Sequence, residues 1–596
     1  MADSDFSDLV DLYTRSVERF AGNPLFGERN DDGTWLWMTY AEMGAAVDRA
    51  RGGLASLGVG SGDRVAIVSD NRPQWAVGAY ATYGLNAVWV PMYEAQQPNE
   101  WAYILGDCGA RVVVVVDDAA RALVDEHRGD LPHLEHIIVL FGEAGGDAIT
   151  WDELLAMGAS APVAAVSPDE KQLAGLIYTS GTTGNPKGVM LSHGNIASNV
   201  SAVNEVFPID PEDRSASFLP WAHSFGQTIE LHTVVSVGAS TGLTSAKTLT
   251  RDLPEIQPTI LISVPTMFNR IHDGLNKMME DKGGATKRIF DAAIRNERRR
   301  EELAKRGKTT RFIETQHRMF DRLVFSKVRH GLGGRLKYAF SGGAAISTEV
   351  AEFISAVGIT VYEGYGLTET APVVTANVRR ARKLGSVGRP IPGVTVKIDT
   401  GVSPEEGIGE IVVYGPNVLL GYYNLPEENE RVFTADGGFR TGDLGSIDED
   451  GYLFIRGRIK EQYKLENGKY VVPSPIEEKL NLSGYIAANM VYGDQRPYNV
   501  ALIVADELAV RKWAEENGLD ASEYQALLES PEMHELMRRE VDRTQESVKG
   551  YERVRDFVLA SDEWTPENGM LTPSLKVKRR TVLERYGERL DALYDD

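Results

Sequence analysis

A chain of 596 residues is longer than one ordinary domain, so we expect two or more. Its 42% hydrophobic and 25% charged residues are typical of a globular enzyme. The formal charge of -23 argues against nucleic acid as a partner, because a phosphate backbone would be repelled. The single cysteine, Cys108, excludes an intramolecular disulfide, fits a reducing compartment and is interpreted as a core residue rather than a nucleophile.

The N-terminal sequence is polar and acidic and lacks the basic start and apolar core of a signal peptide. The longest apolar runs, such as residues 112–116, are too short for a transmembrane segment. We therefore expect a cytoplasmic protein. Peripheral contact with a membrane and formation of a homodimer remain open alternatives.

Residues 40–265 alternate short apolar segments with helical patterns, as in VAIVSDN, WAVGAYATYGL and VWVPM. This alternation predicts parallel sheets covered by helices. After Leu336 short segments such as LKYAFSGG, VTVKID and GEIVVYG are separated by Gly, Pro and Asp, which predicts a largely antiparallel or barrel-like subdomain. The expected fold class is α/β: a large N-terminal domain of two helix-covered sheets with a small β-barrel-like subdomain.

A charged segment follows residue 457, and PSPIEEKLNL after it predicts a helix that begins with proline. We place a domain boundary there, with an N-terminal domain over 1–457, a hinge at 458–460 and a C-terminal domain over 461–596. The last segment contains a predicted strand, ALIVAD, and a polar helical stretch over 507–550. These elements predict a small α+β domain.

The glycine-rich segment YTSGTTGNPKG, residues 178–188, has the composition of a polyphosphate-binding loop. Glycine lets the backbone approach an anion, hydroxyl side chains donate hydrogen bonds, and Lys187 adds a charge. The apolar LAGLI before it predicts a buried strand, and the sequence after it predicts a turn into a helix, a setting in which helix N-termini bind phosphate. The segment is not a Walker P-loop, since Lys187 lies between Pro186 and Gly188.

A basic segment extends from Lys287 to Lys337, with sixteen Lys or Arg against six Asp or Glu. The simpler interpretation is a solvated helical face with ion pairs to Glu297, Glu301, Glu302 and Glu314. The alternative is a binding surface for an anionic nucleotide, an anionic membrane or a partner protein.

Residues 178–188 resemble the signature loop of the adenylate-forming superfamily, which includes acyl- and aryl-CoA ligases, peptide-synthetase adenylation domains and luciferases. Further motifs in the order of that family follow along the chain. The resemblance implies that the loop holds the phosphates of ATP, through Thr179, Ser180, Gly181, Thr182, Thr183, Gly184 and Lys187.

VYEGYGLTETAP, residues 361–372, resembles the family motif that binds adenine, phosphate and magnesium. The resemblance assigns Tyr365 to adenine, Thr368 to the α-phosphate and Glu369 to catalysis and Mg²⁺, with Thr182 as a second metal ligand. A carboxylate is a hard oxygen ligand suited to a hard cation. The same motif and the SGGAAI segment add the nucleotide-binding residues Gly343, Ala344, Glu363, Gly364 and Gly366.

TGDLG and GRIKEQ carry the predicted ribose contacts. By resemblance, Asp443 accepts hydrogen bonds from both ribose hydroxyls, as a carboxylate can, and Arg458 contacts ribose and phosphate. Lys460 falls at the family's hinge position. Gly468, in ENGKYVV, lies in the loop expected to face CoA.

LPWAHSFGQ places His223 and Phe225 where the family lines the acyl pocket and the approach of the carboxylate, and His223 is a predicted catalytic residue. Near the C-terminus, LTPSLKVKRR departs from the family's S-G-K by having Leu575 in place of Gly. Lys576 is the predicted catalytic cation and Lys578 its rival. A cation there would stabilise the charge that develops on the α-phosphate.

The resemblance implies a two-step reaction of ATP·Mg²⁺ and a fatty acid to acyl-AMP, followed by transfer to CoA, with rotation of the C-terminal domain between the steps. The residues of YEGYGLTETAP, GYYN, GRIKEQ and ENGKYVVPSPIE resemble the corresponding motifs of bacterial long-chain fatty-acid–CoA ligases. Two alternatives remain: a ligase that loads a carrier protein, and a non-catalytic nucleotide- or lipid-binding scaffold on the same fold.

Overall fold

The computed structural model describes residues 5–143, 145–179, 185–207, 209–308, 310–344, 346–403, 405–546, 548–565, 568–572 and 576–595. Within these ranges the side chains of seven helical residues are not described: Lys277, Glu280, Asp281, Ala285, Glu301, Ala304 and Lys305.

The strands of the described residues are β1 (Pro24–Arg29), β2 (Trp35–Thr39), β3 (Arg64–Val68), β4 (Val88–Met92), β5 (Val112–Asp117), β6 (His136–Phe141), β7 (Ile149–Thr150), β8 (Leu173–Thr179), β9 (Lys187–Ser192), β10 (Arg214–Ser217), β11 (Ser240–Leu243), β12 (Ile260–Ser263), β13 (Tyr338–Ser341), β14 (Thr360–Gly366), β15 (Val373–Ala376), β16 (Arg389–Pro390), β17 (Thr395–Asp399), β18 (Gly409–Tyr414), β19 (Gly421–Tyr422), β20 (Phe439–Ile447), β21 (Leu453–Arg458), β22 (Tyr463–Lys464), β23 (Tyr470–Val471), β24 (Ile486–Tyr492), β25 (Asn499–Ala505) and β26 (Val554–Ala560).

The α-helices of the described residues are α1 (Leu9–Phe20), α2 (Tyr40–Ser56), α3 (Pro73–Tyr83), α4 (Pro98–Cys108), α5 (Asp118–Asp125), α6 (Trp151–Ser160), α7 (His193–Val206), α8 (Thr233–Val237), α9 (Leu249–Ile256), α10 (Pro265–Asp281), α11 (Gly284–Lys305), α12 (Arg311–Phe320), α13 (Ser326–Gly331), α14 (Thr348–Ala356), α15 (Pro426–Val432), α16 (Ser474–Leu480), α17 (Glu507–Glu516), α18 (Tyr524–Leu528), α19 (Pro531–Thr544) and α20 (Arg579–Asp591). Wider helical turns cover Gly226–His232 and Asp321–Phe325.

The contacts divide the chain into two compact units. The first contains the described residues of Met1–Thr179, Asn185–Val396 and Val413–Phe439, and the second contains Lys397–Val412 and the described residues of Arg440–Asp596. The hinge at 458–460 and the domain limits set on it stay predictions.

The largest sheet of the first unit has eight strands in the order β19-β9-β8-β4-β3-β5-β6-β7. Its strands from β8 to β7 are parallel, and β9 is antiparallel to β8. The central strands β4 and β5 are apolar on both faces, as expected when helices cover both sides. The α/β class predicted for this region is confirmed.

The segment after the glycine-rich loop differs from the prediction. Lys187–Ser192 forms strand β9, and helix α7 begins only at His193 with Ser192 as its N-cap. The loop therefore joins two antiparallel strands, and the N-terminus of α7 lies a full strand away from it. The apolar VML run, which suggested the start of a helix, is long enough for a buried strand, and periodicity cannot separate the two.

The region after Leu336 also differs in part. β13 pairs in parallel with β12, and β14 pairs in parallel with β13, so both strands extend the α/β part of the molecule instead of beginning an antiparallel subdomain. The subdomain of short strands is the sheet β17-β18-β20-β21, in which β20 and β21 are antiparallel. This sheet is open, and its four strands do not close into a barrel.

The C-terminal part of the second unit is a three-stranded sheet, β24-β25-β26, packed with α16 and α17 to α20. Helix α16 has proline in its first turn, as predicted from the sequence. This arrangement confirms the small α+β region.

The core of the first unit includes a cluster of fully buried tryptophans, in which Trp75 lies edge-on to Trp89 and to Trp221. Cys108 is buried as well, and burial raises the pKa of its thiol to about 12, which agrees with a core role. Within the described ranges, every helix is too short or too polar to cross a bilayer.

Candidate active site

The end of the β8–β9 hairpin positions the first predicted site residues. Thr179 is the last residue of β8 and pairs with Lys187, the first residue of β9. The five loop residues between them that were predicted to bind phosphate lie outside the described residues: Ser180, Gly181, Thr182, Thr183 and Gly184.

Lys187 is half-buried and has two partners from a distant part of the chain. Its Nζ lies 2.7 Å from Glu428 Oε1 and 5.2 Å from the centre of the Tyr422 ring. Tyr422 pairs with Val189 on β9, and Val189 shares a strand face with Lys187 because side chains alternate. Glu428 lies in the first turn of α15, whose first residue is proline. The cation is thus fixed in position by an ion pair and an aromatic face.

Glu369 belongs to the same group of contacts. The Tyr422 hydroxyl donates a hydrogen bond of 2.8 Å to Glu369 Oε1, so one side chain connects Lys187 to Glu369. The backbone N–H of Leu419 donates to the Glu369 carbonyl at 2.9 Å, which ties the Thr368–Thr370 turn to the segment directly before β19, the strand that carries Tyr422. The structure therefore brings together two predicted residues that are far apart in sequence.

The turn that contains His223 lies against the same region. Ser224 Oγ is 3.2 Å from Thr368 Oγ1, and both residues are buried. The backbone N–H of Phe225 donates to His223 Nδ1 at 3.1 Å. A Cβ added to Gly342 would come within 2.8 Å of the Phe225 ring, so the ring lies directly on the backbone that follows β13. The predicted acyl-side and phosphate-side residues are neighbours.

The predicted adenine-binding residues lie at the carboxyl ends of two adjacent parallel strands. β13 pairs with β14 so that Ser341 is opposite Glu363, and Gly343 and Ala344 follow β13 in exposed positions. Gly343 adopts a φ of +82°, which favours glycine. The carboxyl ends of parallel strands are the usual place for ligands in open α/β sheets.

On β14, Gly364, Tyr365 and Gly366 follow Glu363. A Cβ added to Gly366 would come within 2.0 Å of the Pro372 carbonyl oxygen, so glycine is needed there for close approach of the backbone. Residues 364–366 are only partly covered, in contrast to the buried start of the strand.

Glu363 is buried, and burial raises the pKa of its carboxyl to about 7, an effect opposed by the charge of Arg382 and by backbone N–H donors of Ile346 and Gly385. Ile346 follows the loop with Gly343 and Ala344. Glu363 therefore contacts the backbone just beyond that segment.

The second unit contains the predicted ribose contacts as a local pair. Asp443 on β20 is opposite Arg458 on β21, and Arg458 Nε lies 3.1 Å from Asp443 Oδ1. Asp443 is buried and Arg458 is exposed. Lys460 lies in the exposed turn after β21, and Gly468, with a φ of +83°, lies in the turn between β22 and β23.

The two candidate catalytic lysines lie just before α20. Lys576 is exposed, and its backbone exchanges hydrogen bonds with Thr572: the Lys576 N–H donates to Thr572 Oγ1 at 3.1 Å and the Thr572 N–H donates to Lys576 O at 2.8 Å. Lys578 is half-buried and is the N-cap residue of α20. The departure from the family motif, Leu575, lies outside the described residues.

Sequence reasoning missed three residues of this region: Ser224, Tyr422 and Glu428. Tyr422 and Glu428 lie in GYYNLPEEN, where a tyrosine pair precedes a helix that begins with proline and acidic residues. That signal predicts a helix start. It does not show that the helix lies beside Lys187, because the pairing of β19 with β9 joins segments more than two hundred residues apart.

A family model described as AMP-binding enzyme matches residues 13–423, and one described as AMP-binding enzyme C-terminal domain matches residues 460–596. The chain belongs to the AMP-binding enzyme family. The resemblance to adenylate-forming enzymes is confirmed.

Among similar AMP-binding enzymes is the long-chain-fatty-acid–CoA ligase FadD15 of Mycobacterium bovis, 34% identical over 95% of this chain and 94% of the relative. Another is the peroxisomal long chain acyl-CoA synthetase 7 of Arabidopsis thaliana, 30% identical over 99% of this chain and 87% of the relative. The adenylation domain of a carboxylate reductase from Mycobacterium chelonae has the same fold, with a TM-score of 0.81, 22% identity and coverage of 99% and 91%.

Proposed function

We propose that this chain is a long-chain-fatty-acid–CoA ligase that uses ATP to activate a fatty acid and then forms its CoA thioester. The observation that carries the proposal is the set of contacts from Lys187 through Tyr422 to Glu369, together with the Ser224–Thr368 contact that joins this set to the His223 turn. A cation, a carboxylate and the predicted acyl-side residues thus form one group. The names of the similar ligases supply the substrate class.

In the first step a carboxylate oxygen of the fatty acid attacks the α-phosphorus of ATP, and the bond to pyrophosphate breaks. Lys187 and the hairpin loop hold the departing pyrophosphate, and Lys576 stabilises the charge at the α-phosphate. In the second step the CoA sulfur attacks the acyl carbonyl, and the bond between this carbon and the AMP oxygen breaks. The mixed anhydride makes a poor acyl donor reactive.

Magnesium would be held by Glu369. Mg²⁺ commonly takes one or two protein carboxylates together with substrate phosphates and water. Glu369 fits this role as a lone carboxylate held by Tyr422, and the described residues contain no group of three or more His, Cys, Asp or Glu that could form a closed metal cage. Bound with ATP, the ion neutralises phosphate charge. Thr182, the other predicted ligand, lies outside the described residues.

The substrate assignment is tested with a panel of acids from acetate to the longest common fatty acids. Pyrophosphate release and acyl-CoA are measured with and without CoA. We expect both products to be greatest with long chains. Acid-dependent pyrophosphate release without acyl-CoA would favour loading of a carrier protein, and ATP binding without pyrophosphate release would favour the non-catalytic scaffold.

The rotation of the C-terminal domain between the two steps is assigned to a hinge at Lys460. Gly468 lies in the loop that would face CoA. Proline fixes φ near -65° and removes a backbone donor, so Lys460→Pro should block a rotation at this position. We expect this variant to release pyrophosphate normally but to form acyl-CoA at least about tenfold more slowly, because closure gates the second step. An unchanged rate of acyl-CoA formation in Lys460→Pro would exclude a hinge at this position. Glu461→Pro, which introduces proline at the next residue, is the control.

The cytoplasm is the proposed location, in agreement with the single buried thiol of Cys108. We also propose that the protein contacts a membrane surface.

We further propose that the chain forms a homodimer. The size of the purified protein in solution tests this.

A further inference from the structure

One face of the helical stretch from Arg311 to Gly331 combines exposed apolar side chains with cations. Helix α12, the wider turn Asp321–Phe325 and α13 follow one another without a break. Phe312, Met319 and Leu323 are 70%, 49% and 50% exposed. Their spacing of seven and four residues places them in one row along the helix. We call this row and the cations beside it the outer face.

The cations of the outer face are Arg311, Arg318, Arg322 and Lys327, all exposed. The three arginines form a row of their own with the same spacing of seven and four residues, and this row runs beside the apolar row, about 100° around the helix. Between Thr310 and Gly331, all of which the structure describes, every exposed charged residue is Lys or Arg. Such a run is unusual in a chain with a formal charge of -23.

The acidic residues of the same region are buried or half-buried and are paired with Arg or His. Glu297 is 3% exposed and accepts hydrogen bonds from Arg300 at 2.9 Å and from His317 at 2.7 Å. Arg300 also lies 3.7 Å from Glu314, and Asp321 is 2.7 Å from Arg329. Most of these groups line a cavity of about 400 Å³ beneath the helix.

The charges are thus sorted by exposure, with the acidic groups held in ion pairs on the inner side, along the cavity, and exposed cations on the outer face. The simpler interpretation of the basic segment, a helical face laced with ion pairs, describes the inner side. It does not account for the outer face, where the three arginines form no ion pair with any described residue and stand beside exposed Phe, Met and Leu.

We propose that the outer face docks on the surface of an anionic lipid bilayer. This proposal rests on the proposed function, because long-chain fatty acids partition into membranes and docking would bring the enzyme to its substrate. An amphipathic helix with Lys or Arg beside Phe and Leu lies in the interface of such a bilayer. Each cation near the surface contributes attraction, which falls off within the Debye length of about 8 Å. The acidic remainder of the chain is therefore screened. A nucleotide such as CoA would need the cations and would leave the apolar row unexplained.

The test uses the full chain and vesicles made of equal parts of phosphatidylglycerol and phosphatidylcholine, compared with phosphatidylcholine alone. We expect the protein to sediment with the anionic vesicles and to be released by salt. The triple variant Arg311→Glu, Arg318→Glu, Arg322→Glu should bind at least about 100-fold more weakly, because three attracted cations are replaced by three repelled anions. The variant Phe312→Gln, Met319→Gln, Leu323→Gln keeps the charges and should lose at least about tenfold.

Matched controls change the same kinds of residue elsewhere. Arg19→Glu, Arg49→Glu, Arg539→Glu alters the net charge equally at exposed positions, and Leu36→Gln, Val402→Gln, Leu508→Gln removes exposed apolar side chains. Both controls should bind vesicles as the unchanged protein does. All variants should have the same melting temperature, because the altered residues lie on the surface.

Several results would overturn the proposal. Equal binding to both kinds of vesicle, undiminished binding of both outer-face variants, or equal losses of binding in the controls would each exclude docking on an anionic bilayer. A raised KM for CoA in the arginine variant would indicate a nucleotide site instead. A dimer that the glutamine variant converts to a monomer would indicate a contact between two copies of the chain. Vesicle binding does not depend on catalysis, so it is measured even if the chain forms no acyl-CoA. In an active chain, the variants should turn over albumin-delivered oleate normally and vesicle-embedded oleate slowly.

Discussion

The two compact units hold their predicted site residues in different ways. In the first unit Lys187, Tyr422 and Glu369 are connected side chain to side chain, although they come from three separate segments of the chain. In the second unit Asp443 and Arg458 are partners on adjacent strands, and Lys576 is exposed before α20. One unit holds a fixed group of charges, and the other presents a local pair and a surface cation.

The fixed group of charges in the first unit and the exposed cation in the second unit are suited to different tasks. Groups fixed by long-range contacts are suited to holding ATP in one orientation, because little reorganisation is needed when the ligand binds. A cation on the surface of the other unit is suited to acting in one step and leaving for the next, which a two-step reaction requires.

The largest expected effect is at Lys576. Lys576→Ala should reduce acid-dependent pyrophosphate release at least about 100-fold, the scale of losing one electrostatic donor to a transition state. Formation of acyl-CoA from supplied acyl-AMP should persist, because pyrophosphate has already left. Both half-reactions are measured separately.

Lys578→Ala is the matched control for this experiment. Its side chain is half-buried where that of Lys576 is exposed. A large loss in Lys578→Ala with little loss in Lys576→Ala would transfer the catalytic role to Lys578, and equal loss of both half-reactions in Lys576→Ala would refute a role confined to adenylation.

The buried carboxyl of Glu363 gives the next effect. Its pKa is about 7 in the folded chain against an ordinary value of 4.5, so the folded protein binds the proton more tightly. The stability from protonated Glu363 is fully present below about pH 4.5 and is lost as the pH rises through about 7, a change of about 3 kcal/mol. Glu363→Gln should therefore gain stability relative to the unchanged protein between about pH 5 and pH 8.

Urea unfolding at both pH values measures this gain. Asp443→Asn in the second unit is the comparison, and we expect it to be destabilising at pH 8, since Arg458 would lose its carboxylate partner. A pH-independent difference between the protein and Glu363→Gln would contradict the buried, raised pKa.

The smallest effect concerns Tyr422. Tyr422→Phe removes the hydroxyl that donates to Glu369 and keeps the ring beside Lys187. We expect kcat/KM for ATP to fall about tenfold, which corresponds to the loss of a hydrogen bond to a charged group. Tyr423→Phe changes the neighbouring tyrosine and should have little effect. Similar losses in both variants would mean that the contact with Glu369 does not matter.

Local patterns predicted much of the fold. The alternation of apolar runs and helical periods gave the parallel sheet, and Pro475 marked the start of α16. The pattern misassigned β9, because a short apolar run followed by a helix cap is compatible with either structure. It also placed β13 and β14 in the wrong sheet, since partner choice between strands is not encoded locally.

Candidate site residues could be proposed from the sequence where a contiguous motif exists, and not where the contact depends on strand pairing. Glu369 and Asp443 were predicted from motifs, whereas Glu428 became visible only through the pairing of β19 with β9. Charge counting indicated the basic segment, but not its sorting into two sides. An apolar row such as Phe312 and Met319 has the spacing of a buried stripe, and only the structure shows that this row is exposed.

The most direct test of the central claim follows one oxygen atom. Attack of the carboxylate on the α-phosphorus, followed by thioester formation, must leave one oxygen of the fatty acid in AMP. With oxygen-18-labelled palmitate, ATP and CoA, we predict AMP that carries one labelled oxygen, in an amount equal to palmitoyl-CoA. Label in inorganic phosphate together with ADP, or unlabelled AMP, would contradict the account.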